Sequence, residues 1–232
     1  MTAGIFRAAR NGQEIPSVPL TPVILGTVKN NSYVNGSQSI IIPTDCDAIV
    51  VMSWGWTSGK INGFSALNFD GSGMDFQEIV TNGDNINYTV DYDVFASIIT
   101  SDNAAWPGTG EKTLYWNFTQ AITEGGTVVI VFLKNVDGAN PIVDTDYASA
   151  VQNWTSDMAG ATTYNMSFLV VADYQNRAIT ANINGQTVLL SAKREHSVSW
   201  VVAYKMNENY MQVTGVSNAY KGFIAFMLRG KS

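Results

Sequence analysis

Carboxylates spaced two residues apart are the first groups in this chain whose types and spacing could do chemistry: Asp45/Asp47, Asp91/Asp93 and Asp144/Asp146. On a strand, positions i and i+2 share a face, so each pair would hold its oxygens side by side. Joined by carbonyls or a third carboxylate, such a pair could hold Ca²⁺; at a suitable separation it could run glycoside hydrolysis. The same spacing fits strand-end aspartates that cap turns and discourage edge pairing, and that is the reading adopted. His196, the sole histidine, sits in Lys193-Arg-Glu-His-Ser and reads as solvated. Cys46, the sole cysteine, lies between Asp45 and Asp47, whose charge disfavours a thiolate. No Gly-x-Ser-x-Gly, His-Glu-x-x-His or phosphate-cradling loop occurs. The expectation is therefore no catalytic residue, no metal site, no cofactor and no enzymatic activity.

Aromatic rings offer a different chemistry, stacking on sugar. Of the six tryptophans, Trp54, Trp56, Trp116 and Trp200 lie inside strand-like runs, where core packing is expected. Trp106 falls in the loop Ser101-Asp-Asn-Ala-Ala-Trp-Pro-Gly-Thr-Gly, and Trp154 falls in a segment between strands. These two are the candidate contacts for a ligand or a neighbouring subunit.

The elements that must position these residues are short and β-rich. Asn-Gly pairs at Asn11, Asn35, Asn62, Asn82 and Asn184, and Asp-Gly pairs at Asp70 and Asp137, supply the positive φ of tight hairpin turns. Between them lie runs at 39–43, 48–56, 76–80, 92–100, 113–118, 127–133, 163–172, 187–190, 198–206 and 222–228. In Thr113-Leu-Tyr-Trp-Asn-Phe the apolar residues alternate, whereas Ala48-Ile-Val-Val-Met and Phe168-Leu-Val-Val-Ala are continuous and read as strands covered on both faces. Only 144–158 has a helical pattern, worth one or two turns. The class is all-β, an antiparallel sandwich of two sheets.

The chain has 232 residues, a net charge of −6 and only 14% charged residues, against roughly 25% in ordinary soluble domains. An acidic balance with no Lys/Arg stripe disfavours nucleic acid. Met1–Arg10 has no signal-peptide core and no stretch reaches membrane-span length, so the expectation is a product made in a cytoplasm, with no membrane insertion. Residues 1–38 are set apart by Pro16, Pro19 and Pro22, which exclude helix and ladder. The same stretch keeps Ile15, Val18, Leu20 and Val23, too apolar for a disordered linker. It reads as an extended arm, with Ile15, Pro16, Val18, Pro19, Leu20, Pro22 and Val23 as assembly contacts, followed by a sandwich domain over 39–232.

Read in order, Asp47-Ala-Ile-Val-Val-Met-Ser-Trp, Leu67-Asn-Phe-Asp-Gly-Ser-Gly-Met-Asp-Phe, Asp91-Tyr-Asp-Val-Phe-Ala and Gly126-Thr-Val-Val-Ile-Val-Phe-Leu-Lys-Asn-Val-Asp-Gly-Ala-Asn-Pro-Ile resemble a jelly-roll-like β-sandwich of bacteriophage virion proteins and bacterial repetitive surface proteins. The resemblance spans about residues 45–230. It implies a jelly-roll-like fold and a structural role in a virion: a capsid decoration, head-fibre or tail-associated subunit. Its partners would be other virion proteins and copies of itself as a homo-oligomer. A carbohydrate-binding attachment module contacting host glycan is the alternative.

Overall fold

The computed structural model describes residues 20–31, 35–56, 61–81, 93–122, 124–148, 153–160, 163–173, 179–195, 198–216 and 221–231. Within them the continuous apolar runs behave as their composition demands. β1 (Val23–Asn31), β3 (Ala48–Trp56), β5 (Gln77–Thr81), β6 (Asp93–Thr100) and β8 (Glu124–Lys134) form one sheet in the order β1-β8-β3-β6-β5. Because side chains alternate along a strand, β3 sends Val50, Met52 and Trp54 to one face and Ile49 and Val51 to the other. β8 does the same with Val129, Val131 and Leu133 against Val128, Ile130 and Phe132. Such a sheet must be covered twice.

The first cover is a three-stranded sheet, β2 (Gly36–Ile42), β7 (Gly110–Phe118) and β4 (Phe64–Asn68), ordered β2-β7-β4. Its inward residues Ile40, Ile42, Leu114, Trp116 and Phe118 share a core with Ile49, Ile130 and Phe132. The antiparallel pairs β1–β8, β2–β7 and β3–β6 are nested. A hairpin of strands 1–8, rolled so that β8 also pairs with β3 and β7 with β4, is the winding of a jelly roll. At the innermost turn, β5 pairs with β6.

The second cover is the rest of the chain. β9 (Ile142–Ala148), β11 (Asn165–Asp173), β12 (Thr187–Glu195), β13 (Val198–Met206) and β15 (Lys221–Arg229) form a sheet ordered β12-β13-β11-β15-β9. Phe168, Val170, Trp200, Ile224 and Phe226 meet Val50, Met52, Trp54 and Val131, with the Trp54 and Trp200 rings 4.7 Å apart. The outward side of this sheet, including Leu169, Val171, Phe223 and Met227, is capped by the short pair β10 (Trp154–Thr155) and β14 (Gln212–Val213) together with Met158 and Met211. The sandwich is thus four layers with three cores, deeper than the two sheets expected from sequence.

Two further expectations are corrected. Among the described residues of 144–158 there is no helical turn: 142–148 is the edge strand β9, paired with β15. The boundary at 38/39 does not hold either, since Val23–Asn31 is β1, laddered onto β8, and β2 begins at Gly36. Proline confines only what precedes Val23.

The chain passes from the jelly roll to the second sheet through residues 134–141, and this joint is bonded from several sides. Val136 and Asp137 pair alongside Arg229 and Gly230 at the end of β15, Asp137 N–H donating to the Arg229 carbonyl at 3.0 Å. Lys231 N–H donates to the Asn135 carbonyl at 2.9 Å, and the Lys231 carbonyl accepts from Leu20 N–H at 2.7 Å. The left-handed residue of the turn is Asn135, with φ 63°. Gly138 is not left-handed, as the Asp-Gly signal suggested; its missing Cβ instead makes room for the Asp102 carboxylate.

Gly230 lies where these strands meet, and a Cβ there would run into the backbone carbonyl oxygens of Leu20 and Tyr164. Gly230→Ala is expected to destabilise the fold by about 1–3 kcal/mol, the range for forced overpacking. Gly26→Ala, whose Cβ would meet only a Phe132 ring atom at 3.8 Å, should stay within about 0.5 kcal/mol. Chemical denaturation of both variants checks the contrast.

Candidate interaction surfaces

Of the aspartates in these pairs, Asp47, Asp93, Asp144 and Asp146 accept backbone N–H groups. Asp47 takes the N–H of Asn135 on Oδ2 and of Val136 on Oδ1, at 2.9 and 3.2 Å, while Asp45 pairs with Lys134 at 2.8 Å. The first pair therefore clamps the joint at the end of β8. On β9, Asp144 accepts from Ala159 N–H and Asp146 from Asp157 N–H, holding the segment 157–159 against the strand. Asp93 is buried and accepts from Ile61 N–H at 2.6 Å; Asp91 lies outside the described residues. Among the described residues no three His, Cys, Asp or Glu side chains gather as a metal site.

Cys46 is buried and its thiol donates weakly to the Ala48 carbonyl, 3.2 Å away. Burial pushes the thiol up to about 11 and the Asp47 charge adds to this, against smaller lowering from backbone hydrogen bonds at Leu133 and Ala48. It is therefore a packed, protonated side chain at neutral pH. His196 lies outside the described residues.

Of the residues read as assembly contacts, Ile15, Pro16, Val18 and Pro19 lie outside the described residues. Pro22 is buried, whereas Leu20 and Val23 keep 49% and 45% of their surface exposed. The apolar lead-in to β1 thus sits at the protein surface beside the C-terminal strand end. The two candidate ligand tryptophans are half-buried: Trp106 packs against the core beneath the three-stranded sheet, and Trp154 against the outer core, 5.6 Å from Phe223. They lie on opposite layers of the stack and form no common site.

Two polar groupings went unread in the sequence. Glu195, at the end of β12, accepts from Lys29 Nζ at 2.9 Å, from Asn31 Nδ2 and from the Trp200 indole N–H at 2.9 Å. Lys29 also lies over the Trp200 ring, 5.5 Å from its centre. One carboxylate thereby fastens the edge strand β1 to the second sheet. Partial burial works to raise the Glu195 carboxyl, but the hydrogen bonds from Lys29, Trp200 and Asn31 and the Lys29 charge outweigh it and hold the group below the ordinary glutamate range. The second grouping is Ser199, Asp173 and Lys221, directly opposite one another across β13, β11 and β15 and all buried. A carboxylate and an ammonium facing each other across neighbouring strands fix the register of that end of the sheet. The sequence signal was a charged residue at the end of an apolar run, which does not name its partner.

Neither protein-family models nor curated proteins match this chain.

A depressed carboxylate stabilises the fold fully above its unfolded-state value and loses that contribution as pH falls through its folded value. Glu195→Gln should therefore lower stability at neutral pH by about 1 kcal/mol, and the gap from the unmodified protein should close in acid, below the ordinary glutamate range. Thermal melts of both proteins from neutral to acidic pH measure this.

Proposed function

We propose that this protein is a structural subunit of a bacteriophage particle, a decoration, head-fibre or tail-associated component that works through protein–protein contacts and performs no chemistry. The observation that carries the reading is the jelly-roll winding of β1–β8 with an exposed apolar lead-in at Leu20 and Val23. Exposed apolar side chains at the mouth of a strand are suited to burial on a neighbouring molecule. The low charge content fits extensive covering by partners. Fold alone does not set function, so the resemblance to virion jelly rolls supports the reading by analogy, with copies of the chain and other virion proteins as partners and the virion as its location.

A second reading, a glycan-binding attachment module, draws on Trp106, whose half-buried ring leaves part of its surface in a loop. A pyranose face could stack on such a ring.

Removing residues 1–19 and replacing Leu20 and Val23 by Asp keeps β1 and β2 in the chain. That variant should fold with an unchanged circular dichroism spectrum and fail to enter particles when co-expressed with the other virion proteins; normal incorporation would count against the lead-in as the assembly contact, and an unmodified chain that stays out of particles would count against the particle reading. For the second reading, glycan-array binding by the full protein should disappear in Trp106→Ala, and an array without signal for the unmodified protein would remove it.

A further inference from the structure

Open sheets leave edges, and unprotected edges pair with other chains unless charge, proline, bulges or a covering segment prevents it. Most edges here carry such protection. β1 has a register shift between Ile24 and Gly26 and carries Lys29. β5 has a shift between Glu78 and Val80. β12 has two shifts and carries Lys193 and Glu195. β9 meets β15 with a shift and holds 157–159 against itself through Asp144 and Asp146. β4 is shifted between Phe64 and Ala66, and Leu67 is already bonded to Gly73 and Asp75.

β2 is different. Its seven residues, Gly-Ser-Gln-Ser-Ile-Ile-Ile, pair with β7 one for one with no shift. It contains no charged residue and no proline. Among the described residues no strand pairs with its other side. Its outward side chain Ile41 is 73% exposed, well beyond Leu20 or Val23.

We propose that β2 pairs with β2 of a second copy of this chain, antiparallel across a two-fold axis at Ser39, joining the two three-stranded sheets into one of six strands. The occupant follows from self-complementarity. The strand brings no charge of its own to the axis; Glu111, which accepts from the Ser39 hydroxyl at 2.8 Å, belongs to β7 on the far side from the second copy, and an isologous contact covers both copies' exposed side chains at once. With Ser39 opposite Ser39, Ile41 falls opposite the small Ser37 of the other copy. Ser37 is itself opposite Tyr115 on β7, and Tyr115 is 38% exposed. Ile41 and the other copy's Tyr115 then flank Ser37 on one face, so the two exposed apolar groups of this sheet shield each other. Ile40 and Ile42 point inward to the core, so the union adds no apolar surface beneath.

This inference rests on the chemistry of the edge and not on the particle reading. Sedimentation of the full chain over a wide concentration range should show a dimer or an even multiple of it. Ile41→Lys and Ser37→Lys, both at exposed positions, should halve the mass with the circular dichroism spectrum unchanged. Ser39→Cys should oxidise to a covalent dimer, since directly opposed Cα atoms in antiparallel strands lie about 4.5–5.5 Å apart, within disulfide reach. A chain monomeric at every concentration, whether another part of it or a different protein covers the edge, overturns the proposal. Lysine variants that keep the full mass, or a Ser39→Cys chain that does not cross-link, overturn it as well. A monomer that still enters particles would leave the particle reading standing; a dimer that never enters them would do the reverse.

Discussion

Everything in this molecule follows from one sheet that is apolar on both faces. β3 and β8 carry no polar alternation across their central residues, so neither face can meet water without exposing a row of Val, Ile, Met or Phe. A jelly roll covers one face by folding its own strands over it. The other face requires a second layer, and β9–β15 supply it. That second sheet has the same character: β11 and β15 are buried along nearly their whole length and apolar through their centres, so its outward side needs a lid of its own. The lid is built from short pieces and long side chains, the β10–β14 pair with Met158 and Met211. The stack ends where the alternation returns, as in β7, where Leu114, Trp116 and Phe118 point inward and Tyr115 and Asn117 outward.

Layers that share a core must also be held in relative position, and hydrophobic contact alone is poorly directional. Polar groups at the rims supply the direction. Asp47 bonds the turn leaving β8, and that turn bonds the end of β15 and the start of the described chain, so both sheets are referred to one point. At the other rim Glu195 gathers Lys29, Asn31 and Trp200. Carboxylates suit this task because each oxygen accepts several donors and a charge-assisted bond is short and strong. The same residues look, in the sequence alone, like parts of a metal or hydrolytic site.

The strands most legible in the sequence were those buried on both faces, because their pattern does not depend on a neighbour. The runs at 48–56 and 198–206 coincide with β3 and β13 to the residue. Strands shaped by their partners were harder to read. β1 follows three prolines and was merged with them into an arm, although the constraint of Pro22 ends at Val23. β9 reads Ile-Val-Asp-Thr-Asp-Tyr-Ala, half-exposed at an edge, and its aspartates suit a turn as well as a strand. β10 and β14 have two residues each and exist only because they pair. The continuous runs announced that both faces are covered but not by which elements, so the number of layers stayed hidden. Composition separated Trp106 and Trp154 from the other four tryptophans; Trp106 lies in a loop, whereas Trp154 opens the short strand β10, and both are half-buried because each closes a core at its margin.

Depth of stacking also decides where such a molecule can meet another. Both large sheets spend their faces on internal cores, leaving the polar outer side of β2-β7-β4, the rim turns and the sheet edges. Edges offer backbone donors and acceptors in a fixed geometry, which gives register without charge. A chain with few charged side chains has little electrostatic means of choosing a partner. Selection must then come from shape and from which edges are left regular. Bulges and aspartates do more than finish a strand in this setting, because each one removes an edge from the set of possible contacts. What remains is a surface whose specificity is written in the few places that lack those devices, in the same way that its fold is written in the few strands that lack polar alternation.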